Sequence, residues 1–244
     1  MLLSPIVSTD LLNMIEGRDF YMCLANIAIK NKEYRDFYKA QRERGAFVLL
    51  DNGAAEKDQM NLEKMLQVIK EVNPNEVILN DCLMDRKETI KSSLDALEFY
   101  KKNKVKCQFM FVPQGKNLED WKKCFNEMPK QDISTIGVSK FVTSGWEDRM
   151  ARFKCCEYLN GQFPVHLLGC HNSIFEVKYV YDACKNIRSN DTAIAYIYAQ
   201  KNEEIFLGDR PEGEIDFIVS NFDEKQKAQL EKNIRQFDHL IEMD

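Results

Sequence analysis

Short polar signatures recur along this chain, each behind a run of apolar residues, and each carries groups able to move a proton, attack carbon or read a hydrogen-bonding edge. They are Leu50-Asp51-Asn52-Gly53, Leu79-Asn80-Asp81-Cys82, Val112-Pro113-Gln114-Gly115, Ile136-Gly137-Val138, Leu168-Gly169-Cys170 and Ser189-Asn190-Asp191-Thr192. Of the carboxylates Asp51, Asp81 and Asp191, one can attack a sugar anomeric carbon and hold a covalent intermediate while a second manages a proton. The amide of Gln114, with backbone groups, can read a purine edge, and Gly137 and Gly169 let a flat base approach the backbone. Taken singly, an aspartate after a strand more often caps the next helix and a glycine more often serves a turn. As an ordered set they point to an enzyme acting on a base or a sugar.

Such residues meet only if the strands before them run parallel, because the carboxyl ends of a parallel sheet converge on one crevice. Apolar runs predict strands over residues 20–24, 46–50, 76–80, 107–112, 134–138, 164–168, 186–190 and 215–219. Between them lie helical spacings, for example Leu62, Met65, Leu66 and Ile69, then Ile90, Leu94, Leu97 and Phe99. A last helix over 224–241, behind an Asp223 cap, places Leu230, Ile234, Phe237 and Ile241 on one face. Alternation at roughly 25 to 30 residues per unit is a βα repeat. The predicted fold is therefore α/β, a single (β/α)8 TIM-like barrel spanning 1–244 as one catalytic domain, with Tyr196 to Gly213 as its longest irregular loop. No Gly-x-Gly-x-x-Gly follows the first predicted strand and no Gly-x-x-x-x-Gly-Lys-Ser/Thr occurs, which removes the dinucleotide and Walker-type readings.

Composition narrows the class further. A chain of 244 residues with 44% hydrophobic and 30% charged residues can build a large core and does not read as a membrane protein. No segment approaches the roughly 20 apolar residues of a membrane-spanning helix, and the start lacks the pattern of a signal peptide, so the expected location is cytoplasmic, the host cytoplasm if a phage encodes it. The eight cysteines are scattered through predicted strands and helices without a Cys-x-x-Cys pair, and are read as buried thiols. Neither a metal nor a cofactor is expected; Cys155, Cys156, Cys170 and His171 form the one thin alternative. The net charge of −5 is uneven: residues 203–244 carry twelve acidic and five basic residues, leaving +2 for the rest. Lys30–Arg44 holds six basic residues against three acidic, and Arg86–Lys106 seven against three, so basic surface is available for phosphates or simply for solvated helix faces.

In order and in type, the stretch from Asp51 to Thr192 resembles the queuine/archaeosine-type tRNA-guanine transglycosylases, most of all their shorter DNA-directed relatives in phages and bacterial islands. Leu50-Asp51-Asn52-Gly53-Ala54 is similar to the family's Asp-Ser-Gly-Gly element, Asn80-Asp81-Cys82 to its Asp-Glu-Cys element, and Pro113-Gln114-Gly115 to its Gln-Gly element. Ile136-Gly137-Val138 resembles its Gly-Gly-Leu turn, His166-Leu167-Leu168-Gly169 its Tyr-Leu-Met-Gly strand, and Asp191 falls where the family has its nucleophile. The resemblance implies a pentosyltransferase that replaces guanine with a 7-deazaguanine such as preQ0 through a covalent Asp191–glycosyl intermediate. Asp51 would take the incoming base's proton, and Asp81, Gln114, Gly115, Gly137, Val138, Leu168 and Gly169 would bind the base. The tRNA-acting members carry a Cys-x-Cys-x-x-Cys…His zinc module and an Arg-rich stretch after the nucleophile; here Cys184 is the last cysteine and Thr192-Ala193-Ile194-Ala195-Tyr196 follows Asp191. DNA is accordingly the expected partner ahead of tRNA.

A target base must leave its stack to be exchanged, and Phe141, Trp146 and Tyr196 are the aromatic groups proposed to receive it, against a plainer role in packing. Three rival readings remain at this stage: a tRNA-directed transglycosylase, a barrel hydrolase of a nucleoside or sugar using the same carboxylates, and a non-catalytic barrel that binds a purine or nucleic acid.

Overall fold

A computed structural model describes residues 1–54, 60–170, 173–205 and 211–242. Eight strands, β1 (Leu2–Pro5), β2 (Phe20–Leu24), β3 (Phe47–Asp51), β4 (Glu76–Ile78), β5 (Gln108–Phe111), β6 (Thr135–Ser139), β7 (Val165–Leu168) and β8 (Ile187–Thr192), form one parallel sheet in the order β1-β8-β7-β6-β5-β4-β3-β2. Helices α1 (Ala25–Ala28), α2 (Lys32–Glu43), α3 (Leu62–Val72), α4 (Arg86–Lys102) and α5 (Leu118–Glu127) follow the strands of the first half. In the second half come α6 (Phe141–Gly145), α7 (Ala151–Leu159), α8 (Ile174–Ala183), α9 (Ile194–Gln200) and α10 (Glu224–Glu242). The chain is a nearly closed (β/α)8-type barrel. At the seam between β1 and β2 a side chain bridges the strands, the amide of Met22 donating to Ser4 Oγ at 2.8 Å.

Strands packed on both faces need apolar residues at every position, and β2 and β6 are buried along their whole length. The helices obey local rules. Asn31, Asn61, Asp85, Asn117 and Ser173 each accept a hydrogen bond from the first turn of the helix they precede. At α10, Asp223 Oδ1 accepts from the Gln226 amide and Gln226 Oε1 from the Asp223 amide, a reciprocal capping box at the predicted Asp223 start. Helix α10 packs on α9, and its Asp238 pairs with Arg18 beside β1.

Three expectations are corrected. The eighth strand is β1, not residues 215–219. There Asp216 Oδ1 accepts from the amides of Ile218 and Val219, consuming donors that a strand ladder needs, and Ile218 and Val219 lie exposed. β1 escapes notice because four residues ending in proline give almost no periodic signal. The loop expected from Tyr196 to Gly213 begins instead as helix α9. In α4 the buried face is Thr89, Ser93, Ala96, Leu97 and Tyr100, with Ile90 packed at its edge and Leu94 exposed, because its hydroxyls bind the loop that carries Asp81.

Candidate active site

The carboxyl ends of the strands open into a cavity of about 620 Å3, lined among others by Met22, Leu24, Asp51, Asp81, Val112, Ser139, Leu168 and Asp191. That volume lies in the range that holds a nucleoside-sized ligand, roughly 300 to 1,000 Å3. Residues Gly213 to Phe217 form a strap along its mouth, so the segment expected to be a strand is part of the cavity wall. The strap is pinned by Thr9, whose amide and hydroxyl both donate to Phe217 O, and by Gln200, whose side chain donates to Glu214 O.

Asp191 sits near the end of β8, paired in register with Ser4 of β1. Its Oδ1 accepts from the Gly169 amide at 3.0 Å and lies 3.1 Å from Nε2 of the buried His166 on β7. Among the described residues no hydrogen bond reaches its other oxygen, and the carboxyl retains 8% exposure toward the cavity. Gly169 supplies its amide from a left-handed conformation (φ 69°), and the Lys140 chain lies where a Cβ would stand. The carbonyl of Gly169 is held from behind by buried Arg152 at 2.8 Å and by Asn190 at 3.1 Å.

Asp51 ends β3, in register with Leu24 of β2, so Asp51 and Asp191, two of the three cavity-lining aspartates, flank the β1/β2 seam. Asp51 Oδ2 accepts from the Gly53 amide at 2.9 Å. Behind it, Asp81 is enclosed by amides: Asn52 Nδ2 donates to Oδ1 at 3.0 Å and Gln114 Nε2 to Oδ2 at 2.7 Å. Burial pushes the Asp81 carboxyl up to about 6, and the two amide donors offset part of that rise. Thr89 and Ser93 fix the loop from α4, the first through the amide and carbonyl of Cys82 and the second through the carbonyl of Asn80.

Not every predicted site residue reaches the cavity. Asp51, Asp81, Leu168, Gly169 and Asp191 line it; Gln114, Gly115, Gly137 and Val138 do not. Gln114 is buried, its amide spent on Asp81 and on the Met84 backbone. A Cβ on Gly115 would stand 2.4 Å from the Trp121 backbone nitrogen, so this glycine lets α5 close on the strand end. One on Gly137 would meet Val112 and Leu168 at 2.8 and 2.9 Å, which places that glycine beneath the cavity floor. The carbonyl of Val138 is taken by Arg152.

Of the aromatic candidates, Phe141 lines the cavity. Trp146 is half-buried with its indole N–H on the Gly115 carbonyl, and Tyr196 is buried and stacked on Phe222 at 4.6 Å. Sequence reasoning missed Ser139, Lys140, Ile215 and Phe217 on the wall. Ser139 and Lys140 directly follow the Gly137-Val138 signature and were legible there; the strap residues carried no comparable signal.

The eight cysteines are free thiols. Among the described residues no three His, Cys, Asp or Glu side chains converge as a metal-ligand group, and His171, part of the thin zinc alternative, lies outside those residues. No described helix is long and apolar enough to cross a membrane. Much of the basic surface on α2 and α4 is neutralised locally, as in the pairs Arg35–Glu71, Arg44–Glu16, Arg86–Asp120 and Lys101–Asp132.

Fold and site together define a (β/α)8-type barrel with an acidic cavity at the carboxyl ends of its strands. No family model matches the chain, and no curated protein matches it.

Proposed function

We propose that the protein is a base-exchange pentosyltransferase that replaces guanine in DNA with a 7-deazaguanine. The observation that carries this reading is the pairing, in one cavity, of two carboxylates on either side of the β1/β2 seam, with a third buried beside Asp51. Asp191 is the nucleophile: with Oδ1 occupied by Gly169 and His166, Oδ2 attacks C1′ while the bond from C1′ to guanine N9 breaks and its electron pair leaves with the base. The incoming base then attacks C1′ from its N9, displaces the Asp191 carboxylate and gives its N9 proton to Asp51. By microscopic reversibility the same group hands a proton to the departing guanine, so the exchange balances.

Asp81 is placed to accept from the N–H groups of a guanine-like edge, and Gln114 acts through it rather than on the base. Lys140 and Phe141 at the wall suit a phosphate and a base face. After Asp191 the chain runs into α9 and α10 with no cysteine beyond Cys184, where the resembled tRNA-acting proteins carry a cysteine-rich zinc module in their sequence, and this favours DNA over tRNA.

One feature favours a second reading. Glu214 lines the mouth, with Glu212 and Asp216 exposed beside it in the strap, and acidic residues there suit a small neutral substrate better than a polyanion, as a nucleoside hydrolase would require. Radiolabelled guanine offered with DNA, tRNA or free nucleosides separates the readings. Label entering DNA supports the proposal, label entering only tRNA moves the substrate, and release of free base without incorporation from any donor replaces exchange with hydrolysis.

A further inference from the structure

The interior of the barrel below Asp191 holds a file of polar groups that the exchange chemistry does not by itself require. Glu76, fully buried on β4, pairs with Arg188 of β8 at 2.7 Å, and Arg188 also donates to Thr135 Oγ1 at 2.8 Å while its guanidinium stands 5.1 Å from the Phe47 ring centre. From that fixed position Arg188 Nε donates to Ser189 Oγ at 3.2 Å. Ser189 Oγ lies 2.8 Å from His166 Nδ1, and His166 Nε2 lies 3.1 Å from Asp191 Oδ1. Arg188 only donates, and among the described residues Ser189 Oγ has no acceptor other than Nδ1, so the hydroxyl turns its single proton there. The imidazole must then carry its own proton on Nε2 and donate it to the aspartate.

Resting on the proposed function, we infer that His166 is a positioning residue whose tautomer is set by Arg188 and Ser189, and that it holds Asp191 with Oδ2 turned to the sugar. Oδ1, bonded to both Nε2–H and the Gly169 amide, is saturated, which leaves one oxygen to form the bond to C1′. The same donor stabilises the carboxylate that is released when the incoming base displaces it. The imidazole stays neutral for this task. Burial drives its proton affinity below the ordinary histidine range against the opposing pull of Asp191. Of the other charges that reach it, Arg188 on β8 lowers that affinity and Glu76 on β4 raises it.

Nitrogen-15 NMR of labelled wild-type protein, without substrate, should show His166 as the Nε2–H tautomer at pH 7, and Ser189→Ala should convert it to a mixture. A wild-type Nδ1–H or doubly protonated ring, or a Ser189→Ala spectrum unchanged from wild type, overturns the inference whatever the enzyme's substrate. In the guanine-exchange assay, His166→Phe should lower kcat roughly 10- to 100-fold, the worth of one hydrogen bond to a charged group, with KM for the base unchanged. His166→Gln, which can still donate to Oδ1, should recover part of the loss. Wild-type exchange with an equally active His166→Phe sinks the relay alone; absence of exchange by wild-type protein, with the predicted NMR tautomer intact, sinks the proposed function and leaves the hydrogen-bonded file standing.

Discussion

Asp191 and Asp81 line the same cavity, yet they are held in opposite ways. Asp191 has one oxygen bound by an imidazole and a backbone amide, and its second oxygen has no hydrogen bond among the described residues. Asp81 has both oxygens engaged by side-chain amides, and burial has pushed its carboxyl up to about 6. A carboxylate with one oxygen tied and the other open can form a bond at the open one. A carboxylate gripped on both sides is suited to recognition, because its lone pairs are fixed in direction. Under the proposed exchange, the contrast puts reaction on the β7–β8 side of the barrel and selection on the β3–β5 side.

The strongest way to break the contrast is Asp191→Asn, which keeps the shape and removes the nucleophile. Exchange should fall by on the order of 10^4-fold or more, and no covalent adduct with nucleic acid should be trapped on a denaturing gel. Near-wild-type exchange would refute the mechanism. Asp51→Asn comes next, with turnover down by roughly 10^2- to 10^4-fold even where some adduct still forms, since the group that gives guanine its proton and takes the incoming base's is lost while the nucleophile remains. Rapid-quench measurement of adduct against product tests this, and unchanged turnover would remove Asp51 from proton transfer.

Asp81→Asn should act on selection, raising KM for the base by roughly 10- to 100-fold with a smaller effect on kcat. Its pH dependence sharpens the point. The carboxyl must be ionised to accept two N–H groups, so base KM should rise as pH falls below about 6. The stability effect has the opposite sign. Because the folded value stands above the ordinary 3.8, the contribution of Asp81 is fully present below that value and is lost as pH rises through about 6. Denaturant melts of wild type and Asp81→Asn between pH 4 and 8 should therefore diverge across that interval, and parallel curves would show that Asp81 is not perturbed.

The smallest expected effect is structural. Gly137→Ala forces a methyl against Val112 and Leu168 below the cavity and should cost about 1 to 3 kcal/mol in chemical denaturation while Asp191 adduct formation persists. An unchanged midpoint would mean that the floor gives way freely.

Much of the barrel was legible because six of its strands are built on short apolar runs and polar residues follow them at regular intervals. Asp51, Asp81 and Asp191 could be picked out from that rhythm alone. Gln114 and Gly137 could be picked out as well, but a glycine or an amide after a strand reads alike whether it faces a ligand or a neighbouring helix. What decided between the two was the Trp121 backbone behind Gly115, the side chains over Gly137, and the pull of Asp81 on the Gln114 amide. His166 shows the reverse error. Read as one residue of a strand beneath the base, it proves to touch the principal carboxylate, because β7 and β8 are neighbours in the sheet.

The linear chain thus determined the βα alternation, the parallel sense of the sheet and the level at which each acid emerges, since these follow from local periodicity and from short connections between consecutive units. Tertiary structure alone decided that Leu2–Pro5 completes the barrel, that residues 213–217 leave it to wall the cavity, and which oxygen of Asp191 is left open. Those outcomes depend on hydrogen bonds between groups up to some 200 residues apart, such as Thr9 to Phe217, whose partners are chosen by the closed shape of the sheet and leave no trace in the spacing of either segment.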